Sequence, residues 1–147
     1  MSASSPPDLN LAQLLKHPLE ALVARLHDGL AAAGYGDIRP AHGCVLQYTA
    51  PDGSRLTDIA GRAGLTKPTV VAAVDDLVRL GYAERLPDPA DGRAKLVRLT
   101  PRGAAAAAEG GRIIAAIERD WSERLGPRRA TALRRGLELL HAHVRPG

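Results

Sequence analysis

Apolar side chains recur along this chain at spacings that predict six helical segments and one pair of short strands. Between about Leu9 and Ala33, leucine and valine follow one another every three or four residues, as on the stripe of an amphipathic helix. Pro18 falls inside this segment, so we expect a kink or a restart there. A second, short helix is predicted after Pro40, and Pro51-Asp52-Gly53 ends it.

Two further helices follow with a short interruption between them. Leu56–Ala63 has the pattern of a two-turn helix that Thr57 can cap. Thr66 is a good N-cap for the next helix, and Pro68 fits the first turn of that helix. Gly81 is expected to end it.

The rest of the chain predicts a hairpin and then two long helices. Tyr82–Pro87 and Ala94–Leu99 are strand-like runs joined by the turn-rich segment 88–93, so they should pair as a β-hairpin. Thr100-Pro101 begins a helix that reaches about Leu125, and the last helix follows Gly126-Pro127. The fold class is therefore mainly α with a small β-hairpin.

The spacing within the two middle helices predicts a helix-turn-helix. Ala60, Gly64 and Val70 stand at i, i+4 and i+10. At these positions the motif needs a small residue, a glycine in the turn and an apolar residue that packs the second helix against the first. Val74 and Leu77 share the buried face with Val70, so the opposite face would enter a major groove. The DNA-facing residues we predict on and around this motif are Arg55, Thr66, Lys67, Pro68, Thr69, Val71 and Ala72.

The predicted hairpin supplies a wing beside this motif. Its expected tip, Asp91-Gly92-Arg93, carries a basic side chain that suits phosphates or a narrow minor groove. Asp91 is expected to orient Arg93 through a charge-assisted bond. Lys95 and Arg98, on the strand that leaves the tip, would add phosphate contacts.

Composition changes this picture mainly through where the charge lies. The chain of 147 residues has a net charge of +4, and 17 of its 20 basic residues are arginine. The stretch from Arg93 to Arg102 holds four basic residues and no acid, which points to nucleic acid more directly than the total does. There is no Phe, so a thin, aliphatic core is expected to gain stability from pairing with a second copy.

Several protein classes are excluded by the sequence. One cysteine, Cys44, allows neither an internal disulfide framework nor a cysteine-based zinc site. No apolar run is long enough to span a bilayer, and residues 1–8 read as a disordered lead-in without the features of a signal peptide. The default location is therefore cytoplasmic. No serine stands in a nucleophile elbow and no glycine-rich phosphate loop occurs, so an enzyme is not expected, nor is a cofactor or a bound metal.

Residues 56–103 resemble the MarR family of bacterial transcription regulators. The resemblance rests on the runs 56–60, 65–70, 77–82, 88–93 and 99–103, and the flanking helices match the family more weakly. It implies a homodimer with two winged helix-turn-helix lobes on a pseudo-palindromic DNA operator, with repression relieved by a small ligand or an oxidant. The implied organisation is a single domain, 9–147, in which 38–103 form the DNA-binding lobe and 9–33 with 104–147 the helical dimerisation region.

The second helix of the predicted helix-turn-helix, which would enter the major groove, departs from the family pattern. Val71, Ala72 and Asp76 stand where members commonly have polar or basic residues, and Asp75 is acidic as well. Apolar residues there can contact thymine methyl groups but make no strong base-edge hydrogen bonds. We therefore expect affinity to depend on the wing and on Thr66, Lys67 and Thr69.

Several alternatives remain open at the level of sequence. A winged helix-turn-helix can serve as a protein-interaction module without specific DNA binding. The residue types that would suit an aromatic or phenolic effector also suit a protein core; they are Tyr35, His42, Tyr48 and Trp121. Cys44 is interpreted as a buried structural cysteine, and redox sensing through it is the weaker hypothesis. The five histidines form no metal-ligand motif. The stripe on the last helix, headed by Leu133, would pair either within one subunit or across a dimer.

Overall fold

The computed structural model of the chain describes residues 8–145, so of the predicted lead-in only Asp8 falls within the described residues. The first helix, α1, spans Leu11–Ala32. The Asn10 side chain accepts from the Gln13 N–H while the Gln13 side chain accepts from the Asn10 N–H, so both ends of a capping box are present. The helix runs through Pro18 without the predicted restart. Leu14, whose carbonyl loses its helical partner there, is exposed, so water can satisfy that oxygen.

The DNA-binding lobe predicted from the sequence begins with short elements. A 3-10 turn at Pro40–His42 leads into helix α2, Gly43–Tyr48. After strand β1, Ser54–Arg55, come helix α3, Leu56–Ala63, and helix α4, Lys67–Arg79. The prediction that Thr57 caps α3 is wrong, because the N-cap is Arg55 and Thr57 lies inside the helix.

The small sheet has three strands where the sequence predicted two. Strands β2, Ala83–Asp88, and β3, Asp91–Leu99, form the expected antiparallel hairpin. β1 pairs antiparallel with the other edge of β3, which places Ser54 opposite Val97 and gives the order β1-β3-β2. Two residues are too short a run to show a strand pattern, so sequence periodicity could not reveal β1.

Two long helices complete the chain: α5, Pro101–Leu125, and α6, Pro127–Val144. The residues divide into two compact units, the first ending at Gly111 and the second beginning at Arg112, so α5 starts in one unit and ends in the other. Ile117 is buried in the second unit, whereas α6 has no buried residue. No helix in the described part of the chain is long and apolar enough to cross a membrane.

Aliphatic side chains and one tyrosine form the core of the first unit. Its largest fully buried side chains are Val45, Ile59, Val70, Val74, Leu77, Tyr82 and Val97. They come from α2, α3, α4, β3 and the residue just before β2, so the two helices of the motif pack on the same apolar centre as the hairpin. The predicted helix-turn-helix and the hairpin thus share one packed core.

Candidate nucleic-acid interface

The helix-turn-helix forms through the three positions that the sequence singled out. Gly64 ends α3 in the left-handed region, with φ of +68°, where a side chain would be strained. Ala60 and Val70 are both buried at the contact between α3 and α4. The predicted buried face of α4 is confirmed as well, since Val70, Val74 and Leu77 have no exposed surface.

The start of α4 presents hydroxyl groups and a cation to solvent. Thr66 is the N-cap and its Oγ1 accepts the N–H of Thr69 at 3.4 Å, while the two hydroxyl oxygens lie 2.8 Å apart. Lys67 and Pro68, in the first turn, are exposed. Free N–H groups at a helix start and exposed hydroxyls are suited to phosphate oxygens.

The outer face of α4 is apolar and then acidic along its length. Ala72 is exposed and Val71 half-buried, followed by Asp75 and Asp76. Both carboxylates have partners within the protein: Arg85 on β2 donates to Asp75, and His42 donates to Asp76. The acidic charge on this helix is therefore compensated locally.

The tip of the wing differs from the prediction. The turn residues are Pro89 and Ala90, and the segment expected at the tip, Asp91-Gly92-Arg93, opens β3 instead. Asp91 does hold Arg93, but through the backbone: Asp91 Oδ1 accepts the Arg93 N–H at 3.1 Å. The Arg93 side chain is exposed.

Asp88 stabilises the tip end of the wing, directly before the turn. Its carboxylate accepts the Ala90 N–H at 2.9 Å and the Arg55 Nε–H at 2.8 Å, and Arg55 Nη2 lies 2.6 Å away in the same ion pair. These donors lower the pKa of Asp88, and the Ala90 amide contributes most to that shift. The hydrogen bond to Asp88 in turn raises the pKa of Arg55. Arg55 was predicted to face DNA, and in the free protein its guanidinium clamps the hairpin to β1.

Arg98 and Lys95 lie on β3, as expected. Arg98 donates from Nε and Nη2 to Glu84 Oε1 on the neighbouring strand, at 2.9 and 2.7 Å. Lys95 is exposed on the same strand. Of these two predicted phosphate-contacting cations, Arg98 is thus held by a carboxylate in the free protein.

A polar cluster around Tyr82 was missed by the sequence analysis. Its hydroxyl donates to Asp37 Oδ1 at 2.5 Å and accepts from Arg102 Nη2 at 2.9 Å, and the Arg102 guanidinium lies 4.3 Å from the ring centre. Burial and the Asp37 carboxylate raise the pKa of Tyr82 to about 12. Asp37 and Arg102 lie 45 and 20 residues from Tyr82 along the chain, so local sequence patterns could not predict these contacts.

The predicted effector residues are not gathered into an apolar pocket in the first unit. Tyr35 packs edge-on against Tyr82, with ring centres 6.2 Å apart, and Tyr48 is half-buried on α2. His42 borders a polar depression of about 300 Å³ whose lining includes Asp37, Arg39, Asp76 and Arg79. Trp121 is half-buried on α5, in the second unit.

Cys44 is half-buried, and its Sγ lies 3.6 Å from the Ala41 carbonyl oxygen. Burial raises the pKa of this thiol, which keeps it protonated at neutral pH. Among residues 8–145, no group of three or more His, Cys, Asp or Glu side chains is placed to hold a metal ion.

A family model and several solved structures are similar to this chain. The model of the MarR family matches residues 37–94. The transcriptional repressor CouR bound to a 23-mer DNA duplex shares 28% identity, with 89% of this chain and 92% of that chain covered and a TM-score of 0.74. No curated protein sequence matches this chain significantly.

Two further solved structures share the fold at lower identity. CouR from Rhodococcus jostii RHA1 bound to p-coumaroyl-CoA is 21% identical, with 98% of each chain covered and a TM-score of 0.77. The S. aureus MepR–DNA complex is also 21% identical, with 93% of this chain and 99% of that chain covered and a TM-score of 0.78. At this identity the likeness is one of fold.

Proposed function

We propose that this chain, whose residues 37–94 match the model of the MarR family, is a transcriptional repressor of that family. It binds a pseudo-palindromic operator in double-stranded DNA as a homodimer, and a small effector releases it. The observation that carries the proposal is the exposed start of α4, next to a wing that bears Arg93 and Lys95. The CouR relative at 28% identity is a transcriptional repressor bound to a DNA duplex, which supports the same role here.

The proposed contacts divide into two kinds. Thr69, Val71 and Ala72 face the bases in the major groove, where Val71 and Ala72 favour thymine methyl groups. Phosphate oxygens take the remaining predicted contacts, which come from Arg55, Thr66, Lys67, Pro68, Arg93, Lys95 and Arg98. Arg55 and Arg98 reach DNA only if phosphate displaces Asp88 and Glu84, so Arg93 and Lys95 contribute more of the affinity.

The proposed dimer accounts for apolar surface on the last helix. Four side chains recur on α6 every three or four residues and are all exposed in one chain; they are Leu133, Leu137, Leu140 and Val144. A stripe of this kind on a helix with no buried residue is suited to a second copy of the same helix. Two lobes related by a twofold axis would match the two halves of a palindromic site.

We place the proposed effector in the aromatic or phenolic class. The predicted residues are Tyr35, His42, Tyr48 and Trp121, and the p-coumaroyl-CoA bound by the Rhodococcus CouR also carries a phenol. Since its target is the bacterial chromosome, the protein would act in the cytoplasm.

Selection of bound duplexes from a random DNA pool tests the function. We expect enrichment of one pseudo-palindromic sequence, with an affinity for it that exceeds non-specific affinity at least a thousandfold and falls steeply with salt. Repeating the selection with phenolic acids and their coenzyme A thioesters tests release. A winged-helix protein-interaction module would enrich no sequence and show a shallow salt dependence, which would overturn the proposal.

A further inference from the structure

Two adjacent carboxylates on α4 reach different neighbours. Successive residues of a helix point about 100° apart, so Asp75 and Asp76 face different neighbouring elements. Asp75 Oδ1 accepts from Arg85 Nη2 on β2 at 2.5 Å. Asp76 Oδ2 accepts from His42 Nε2, in the turn before α2, at 3.2 Å. The outer face of α4 is thereby tied to the wing on one side and to the 3-10 turn on the other.

The partner of Asp76 is itself held in one orientation. His42 is only 2% exposed, and its Nδ1 accepts the backbone N–H of Arg39 at 3.0 Å. Because Nδ1 accepts, the neutral ring carries its proton on Nε2 and donates it to Asp76. Asp76 also accepts from Arg79 Nη2 at 2.9 Å, one helical turn further along α4. The carboxylate thus has a fixed donor from outside the helix and a second donor from within it.

These pairs do not hold the fold together. Asp75 and Asp76 are substantially exposed, and solvent screens such pairs, so they add little to the free energy of unfolding. Four buried apolar residues, Val70, Ala73, Val74 and Leu77, keep α4 in place. Aliphatic contacts are non-directional, however, and tolerate small rotations of a helix about its axis. Hydrogen bonds from two sides restrict that rotation.

We propose that Asp75 and Asp76 are positioning residues that set the rotation of α4 and thereby the discrimination between operator and other DNA. The inference rests on the proposed function. Phosphate contacts from the wing and the helix start survive a small rotation of α4, whereas base contacts from Thr69, Val71 and Ala72 do not. Losing either pair therefore lowers affinity for the operator more than affinity for unrelated duplex.

The test compares Asp75→Asn and Asp76→Asn with Asp58→Asn, which removes the same charge from an exposed site on α3. For each protein, the affinities for the selected operator and for a random duplex are measured over a salt series. We expect the operator preference to fall about tenfold in both α4 variants, the size of one lost base contact. It should stay within twofold in the Asp58 variant, while the unfolding midpoints of all three stay close to that of the parent.

The charge swap D75R/R85D separates positioning from a direct role of Arg85 in DNA binding. If Asp75 acts through Arg85, the swapped pair restores the preference that Asp75→Asn loses. Unchanged preference in both single variants would overturn the inference, and so would equal losses on operator and random duplex. A parent protein that selects no sequence would instead overturn the proposed function, and this inference with it.

Discussion

The position that a Cβ atom would take on Gly103 lies 1.9 Å from the carbonyl oxygen of Tyr82. The first turn of α5 is thus pressed against the backbone at the corner between α4 and β2. The same corner is fastened by the Thr100 N–H, which donates to the Tyr82 oxygen at 3.1 Å, and by the Thr100 hydroxyl, which donates to the Gly81 oxygen at 2.6 Å. Only glycine allows this approach.

Gly103→Ala should therefore destabilise the fold. Because the obstacle is backbone, the helix start must move, and we expect a loss of about 3 kcal/mol in the free energy of unfolding. Gly111→Ala is the matched control: its Cβ would meet nothing within 4 Å, so the better helix former should add about 0.5–1 kcal/mol. Urea unfolding followed by circular dichroism measures both. Equal effects of the two substitutions would contradict the predicted clash.

Tyr82 should make the fold sensitive to alkali. Its pKa is raised to about 12, so its stabilising contribution is present below the unfolded-state value of about 10 and is lost as the pH rises through the folded-state value. Between about pH 10 and pH 12, the parent should lose more free energy of unfolding than Tyr82→Phe, which has no phenol to ionise. A pH dependence identical in the two proteins would refute this account of the cluster.

Asp88 should make the fold sensitive to acid. Its pKa is lowered, so its contribution is present above the unfolded-state value of about 4 and is lost as the pH falls through the folded-state value. Asp88→Asn should remove part of the decline in free energy of unfolding between about pH 5 and pH 2. Asp52→Asn, at an exposed turn position, serves as the control and should leave that decline unchanged.

Arg93 should contribute more to DNA affinity than Arg98 does. We expect Arg93→Ala to weaken binding to operator and random duplex alike, and to reduce the slope of log affinity against log salt by about one. Arg98→Ala should reduce the slope less, since Arg98 is paired with Glu84 before DNA arrives. Arg119→Ala removes the same charge from α5 as a control. An Arg93 variant with parental affinity at moderate salt would show that the wing is dispensable.

Leu137 and Leu139 should differ sharply in their effect on the oligomeric state. Leu137 belongs to the stripe proposed as the dimer surface, whereas Leu139 lies on another face of α6 and is 73% exposed. Leu137→Asp should yield monomers by analytical ultracentrifugation, and Leu139→Asp should leave dimers intact. If both variants sediment as the parent does, α6 is not the contact.

The sequence was sufficient to predict the features that depend only on residues close together along the chain. The helix-turn-helix depends on Ala60, Gly64 and Val70, which lie within eleven residues and act through packing and turn geometry. The N-cap at Thr66 is equally local.

The sequence predicted the tip of the wing at the wrong residues because two adjacent segments both have the residues of a turn. Asp91-Gly92 suggested the turn, but Asp88 and Pro89 form the stronger one: proline suits the second position of a turn, and the Asp88 carboxylate accepts the Ala90 N–H. An irregularity in the pairing at Pro87/Asp88 adjusts the register to this turn.

Long-range polar pairs lay beyond sequence reasoning. Asp76 and His42 are 34 residues apart, and nothing in either segment specifies the other. Such pairs depend on how packed elements meet, which periodicity does not encode.

The aromatic residues are distributed unevenly between the two compact units. All three tyrosines lie before Gly111, and the single tryptophan, Trp121, lies after it. Each unit therefore carries a chromophore of its own. Tyrosine absorbance and tryptophan emission can follow the melting of each unit separately in the unlabelled protein, and would reveal directly whether the two melt together.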